Sequence, residues 1–163
     1  MNPRQGFRFH GAADLNVDVQ DPALTYARFA SVLSVFVSPS LFPQITLATR
    51  VGASHNVGSF PFFAAGTLGG KHNLRGYRST RFSGRSSLFN NTEVRAELFD
   101  FAAAFGYGTV GALGFVDSGR VWADGETSRV WHHGYGGGLW LHLVDAVTLA
   151  GTYGASNEGG TFL

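Results

Sequence analysis

The dominant pattern in this chain is strict alternation of apolar and polar residues, sustained over unusually long stretches. In residues 7–19 the odd positions are Phe7, Phe9, Gly11, Ala13, Leu15, Val17 and Val19, while the even ones include Arg8, His10, Asp14, Asn16 and Asp18. Successive strand side chains point to opposite faces, so this spacing predicts one long strand with a greasy face and a polar face. Ordinary strands run about 5–6 residues, whereas a tilted strand that crosses a bilayer needs about 9–11. Length therefore separates a membrane strand from a soluble one better than alternation does.

The same pattern predicts strands at 24–37, 44–57, 87–101, 108–122, 133–143 and 147–156, with an eighth beginning at 161–163. Phe29, Leu33, Val35 and Val37 share a face, and Ile45, Leu47, Val51 and Ala53 oppose Gln44, Thr46, Arg50 and Ser54. In 87–101 the charged residues Glu93, Arg95 and Glu97 line up with Asn91, opposite Leu88, Val94 and Leu98. Turn chemistry at 20–23, 38–43, 102–107, 123–130, 144–146 and 157–160 separates the strands. The expectation is all-β: one domain over residues 1–163, forming an antiparallel transmembrane β-barrel of about eight strands with the last truncated. In lipid every backbone group needs a partner. The natural chain is therefore expected to continue by about ten residues, one strand length.

Residues 58–86 break the alternation. They carry Lys71, Arg75, Arg78, Arg81 and Arg85 together with Gly69, Gly70, Gly76 and Gly84. Long loops in compact domains are commonly functional. This one is expected to fold back into the barrel interior, where a charged strand face can meet it.

Composition sharpens the membrane reading. Of 163 residues only 14% are charged, with 23 Gly and 15 Phe, against about 25% charge in an average soluble domain. The absence of cysteine excludes a disulfide framework and a thiolate metal site. A net charge of +1 gives no argument for nucleic acid. No apolar run is long enough for a transmembrane helix, and no signal peptide leads the sequence, so the chain is expected to be processed or a piece of a longer one. His132 and His133 are adjacent on a strand and point to opposite faces, which argues against a shared metal. The glycine run 134–138 lacks the helix and lysine of a phosphate loop; it marks curvature or a close backbone approach. No nucleophile elbow is present. No catalytic residue, metal or cofactor is expected. Trp122, Trp131 and Tyr135 near one hairpin are expected to form an interfacial aromatic girdle.

Two segments carry a family likeness. Leu74-Arg75-Gly76-Tyr77 resembles the VRGF/Y loop motif of the BamA/TamA outer-membrane superfamily, also called the bacterial surface antigen family, with Leu74 in the valine place. Residues 115–119, with Phe115, Asp117 and Gly119, resemble its FxDxG strand motif, and 133–140 and 153–158 resemble its closing strands. The resemblance implies a loop held in the lumen with Arg75 reaching Asp117, and Glu93 and Glu97 as candidate secondary partners of Arg78 or Arg81. Members usually have sixteen strands and soluble N-terminal domains, so the likeness covers the C-terminal half of such a barrel. It implies a non-enzymatic component of the bacterial outer membrane that handles outer-membrane proteins or lipids. The alternative is the C-terminal anchor or export barrel of a larger patatin-like phospholipase or metallophosphoesterase. A barrel enzyme acting on lipids and a soluble β-sandwich are weaker readings. Expected partners are outer-membrane lipids, unfolded outer-membrane proteins, or a second copy joined through barrel edges.

Overall fold

A computed structural model describes residues 5–19, 21–39, 43–103, 106–127, 129–143, 147–158 and 161–162. In chain order the strands are β1 (Gly6–Asn16), β2 (Tyr26–Val37), β3 (Ile45–Gly58), β4 (Gly66–Leu68), β5 (Phe82–Gly84), β6 (Ser86–Ala103), β7 (Gly106–Trp122), β8 (His132–Leu143), β9 (Val147–Ser156) and β10 (Thr161–Phe162). Eight of them form one antiparallel sheet in the order β1-β2-β3-β6-β7-β8-β9-β10. The two short strands β4 and β5 form a separate ribbon inside the 59–85 insertion, with Thr67 opposite Ser83. Each long strand pairs with its sequence neighbour once that insertion is set aside, which is the simplest topology for alternating strands and short turns.

The long strands follow the predicted segments closely, with three differences. The first strand stops at Asn16 rather than 19, because Asp18 Oδ1 accepts the Asp21 N–H at 3.0 Å and opens a turn into a short 3-10 segment, Pro22–Leu24. The expected turn at 102–107 is narrower: Ala102 and Ala103 pair with Tyr107 and Gly106. A bulge between Glu97 and Phe99 shifts the register and hides this continuation from a period-two reading. The 58–86 loop contains the β4–β5 ribbon, which its irregular sequence does not announce. The expected turn at 144–146 lies outside the described residues.

The sheet is open. Among the described residues no pairing joins β1 to β9 or β10, so the expected closed eight-stranded barrel is not formed by these strands. Closure needs a full-length partner at each edge, and β10 supplies only two residues.

One face of the sheet is polar. Cross-strand partners share a face, and the register carries a single row across it: Arg8, Ser34, Arg50, Asn91, Asp117, Gly134 and Ser156. The opposite face is apolar and exposed, with Phe9, Leu33, Val51, Val94, Val116, Leu139 and Tyr153 all open to the surroundings. Trp122, Trp131 and Tyr135 are exposed as well. The buried core lies elsewhere. It consists of Leu68, Leu74 and Tyr77 from the insertion, packed with Phe82, Phe89 and Val121 on the polar side of the sheet. A large exposed apolar face with the core on the polar side inverts the arrangement of a soluble sheet, and such patches mark membrane or partner contact. Among the described residues no helix is long and apolar enough to cross a membrane.

This arrangement makes a testable distinction at Val51, which is 41% exposed near the middle of β3. Refolded into lipid vesicles, Val51→Arg is expected to lose about 2–4 kcal/mol in a urea titration, as for a cation at the bilayer midplane. A loss within about 0.5 kcal/mol, normal for a solvated surface position, would remove the lipid-facing assignment.

Candidate functional site

The site is where the insertion meets the polar row. Asp117 is fully buried on β7 and accepts three hydrogen bonds from a single residue. The Arg75 backbone N–H and Nε donate to Oδ2 at 2.9 and 2.8 Å, and Nη2 donates to Oδ1 at 2.8 Å. The remaining arm of the fork, Nη1, donates to Glu93 Oε2 on β6 at 2.6 Å. Arg95 Nε donates to the other oxygen of Glu93, also at 2.6 Å. The Arg75 guanidinium carbon lies 3.6 Å from the centroid of the Phe115 ring, within reach of a cation–π contact. A planar fork with fixed donors suits a bidentate carboxylate on one edge, a second on the other and an aromatic face beneath. Burial alone would lower the Arg75 pKa, but the hydrogen bonds to Asp117 and Glu93 outweigh it and raise it.

Glycine makes this approach possible. Gly134 stands opposite Asp117 on β8, and a Cβ there would sit 1.8 Å from the Arg75 carbonyl oxygen. Gly76 has φ +88°, a conformation that favours glycine, and a Cβ on it would lie 2.3 Å from the Ala155 carbonyl oxygen. The glycine run thus admits the insertion backbone directly onto the strand backbone.

Both flanks of Arg75 are tied down. On one side Asn73 organises the turn: its Oδ1 accepts the Gly69 N–H at 2.8 Å and its Nδ2 donates to the Thr67 carbonyl at 2.9 Å. Its own carbonyl accepts from Asn91 Nδ2 at 2.9 Å. Arg50 on β3 donates to Asn91 Oδ1 and to the His72 carbonyl. On the other side Tyr77 is buried and its hydroxyl donates to Asn157 Oδ1 at 2.6 Å. Burial, then the nearby Glu158 carboxylate, push the Tyr77 phenol above its usual pKa, so it stays a donor. Phe82 packs against the Tyr77 edge and stacks on His132 at 3.7 Å, and His132 pairs with Glu158. At the base of the insertion Arg85 donates to the carbonyls of Asn56 and Gly58 and to Asp124. Those bonds hold the Asp124 carboxyl below the usual range.

The structure brings together Leu74, Arg75, Gly76 and Tyr77 from the loop with Phe115, Asp117 and Gly119 from β7; a Cβ on Gly119 would meet Leu68 at 2.8 Å. The secondary pairs differ from expectation. Glu93 is engaged by Arg75 and Arg95, not by Arg78 or Arg81. Arg81 lies 3.8 Å from Glu158, and Arg78 is exposed on the loop. Glu97 sits beyond Arg95 at the bulge, away from the Arg75 fork. The misassignment has a physical cause: Arg78 and Arg81 follow the tight turn at Gly76, which carries the chain away from β6 toward β8. Sequence reading also gave Arg50, Asn91, Asn73 and Asn157 no role. Arg50 and Asn91 were legible as inner-face residues, but their meeting depends on strand register.

The groups that meet at the clasp hold one another in place. Ser118 Oγ lies 2.9 Å from His133 Nδ1, but both belong to the exposed opposite face. Among the described residues no three of His, Cys, Asp or Glu gather where a metal could be held. In comparison with known proteins, a family model described as the Omp85 superfamily domain matches residues 1–143. No curated protein matches the sequence.

Removing the clasp has a large expected cost. Arg75→Ala leaves the Asp117 carboxylate buried without its partner and is expected to destabilise by about 3–5 kcal/mol, read as a lower midpoint in the temperature at which the unheated gel band shifts to its heated position. Adding Asp117→Asn is expected to recover part of that loss; a double variant no better than the single one would show that the two residues do not act as a pair.

Proposed function

The chain belongs to the Omp85 superfamily, and from that premise we propose that it is the membrane-embedded part of an outer-membrane component that handles other outer-membrane proteins or lipids without chemistry of its own. Members of this superfamily are outer-membrane proteins. The observation that carries the proposal is the Arg75–Asp117 clasp: a long basic insertion is locked onto the polar face of a sheet whose other face is greasy. In a bilayer the greasy face contacts acyl chains, and the polar face lines an interior from which lipid is excluded.

Within that reading the clasp sets where the insertion stays. It reaches across the polar row from Arg50 on β3 to Ala155 on β9, while β1 is exposed, so a client would pass beside the insertion rather than through it. Among the described residues β1 pairs only with β2. Its outer edge offers backbone N–H and C=O groups that an extended client strand, or a second copy, can pair with.

The test is a folding assay in lipid. Vesicles carrying the protein are expected to fold an unfolded outer-membrane β-barrel substrate faster than empty vesicles, and Arg75→Ala is expected to lose the acceleration. Equal rates with and without the protein would end the handling reading for proteins.

A further inference from the structure

A cleft of about 300 Å³ opens beside the clasp, between the tip of the insertion and strands β2, β3 and β6. Its charged lining is Arg50, Lys71, Arg75, Arg95 and Glu93, with Ser34 among the neutral polar groups beside them. That volume is at the lower end of small-molecule sites. Four cations line it against one carboxylate, and Asp117 behind Arg75 supplies a second, so positive charge is in excess among these groups. The surplus is localised. Arg75 is matched by Asp117 and Glu93, and Arg95 shares Glu93. The hydrogen bonds of Arg50 go to neutral oxygens, the Asn91 side chain and the His72 carbonyl. Lys71 is exposed at the tip of the insertion, and Ser34 stands directly beside Arg50 in the polar row.

We infer that this cleft binds a phosphate group carrying two negative charges, as inorganic phosphate or a phosphate monoester. A guanidinium, an ammonium and a hydroxyl that line one cleft from three segments suit a tetrahedral anion with several acceptor oxygens. A planar carboxylate carries one charge and would compensate less of the surplus. The cleft lies on the polar face beside the part-buried clasp, where a charge pair is screened less than on an open surface. The inference goes beyond the handling function, because the site stands on the geometry of the clasp and not on what the protein transports.

The same chemistry can come from a soluble phosphate or from a lipid with a monoester headgroup, and the experiment separates them. The protein, folded in a maltoside detergent at constant ionic strength, is titrated with inorganic phosphate and, separately, with dihexanoyl phosphatidic acid, following the ³¹P resonance. Dihexanoyl phosphatidylcholine, a diester, is the control. The expected result is saturable binding of one or both monoester probes and none of the diester. Lys71→Glu is expected to weaken it by about tenfold or more and Lys71→Ala by less, while Arg78→Ala, outside the cleft, leaves it unchanged. Binding of inorganic phosphate assigns a soluble ligand; binding of phosphatidic acid alone assigns a lipid headgroup. No saturable binding of either probe, or an equal loss in Lys71→Glu and Arg78→Ala, overturns the site.

Discussion

A carboxylate with no exposure to solvent is the constraint from which the rest of this structure follows. Asp117 sits in the middle of a polar row on a sheet, and a buried charge of this kind is tolerated only when it is paired and hydrogen-bonded. Arg75 meets the whole requirement with one residue, giving its backbone N–H and two guanidinium nitrogens. Because the backbone takes part, the contact fixes the path of the chain as well as the place of the side chain. Leu74 and Tyr77, on either side, are thereby delivered to the small core against Leu68.

The strands around Asp117 are shaped to accept this. The sheet could present a flat wall of side chains to the insertion, but β8 is nearly bare where the insertion lands. Gly134 faces the Arg75 carbonyl, and Gly136 and Gly154 leave room for the Phe115 ring on which the guanidinium rests. Glycine is costly in a strand, since it adds nothing to packing and loses more freedom on folding. Here the cost is offset by a backbone-to-backbone approach that no larger residue permits.

Much of this was legible in the sequence, and the limits have definite causes. Alternation in residues 7–19 and 44–57 identifies strands and their faces, because a period of two is a local property. The break at 58–86 identifies the insertion for the same reason. The Arg75–Asp117 meeting came from motif resemblance, not from spacing, since forty-two residues separate the two in sequence. Arg50 shows the other limit. Its place on the polar face was readable, but its bond to Asn91 depends on a register set by every turn between β3 and β6. The bulge at Glu97 shows a third, because one extra residue ends the alternation while the strand continues through Ala103. Closure of the sheet is a global property, and alternation carries no information about it.

The insertion leaves β3 at Gly58 and returns at Ser86, and these two strands are immediate neighbours that remain paired through His55 and Ser86. Arg85 pins this neck by bonding to the carbonyls of Asn56 and Gly58. No strand-to-strand hydrogen bond of the large sheet therefore runs through the docked segment. Sheet assembly and docking therefore rest on distinct sets of contacts: the strand ladders do not depend on the docked segment, whereas the Arg75–Asp117 clasp and the Leu68–Leu74–Tyr77 core do.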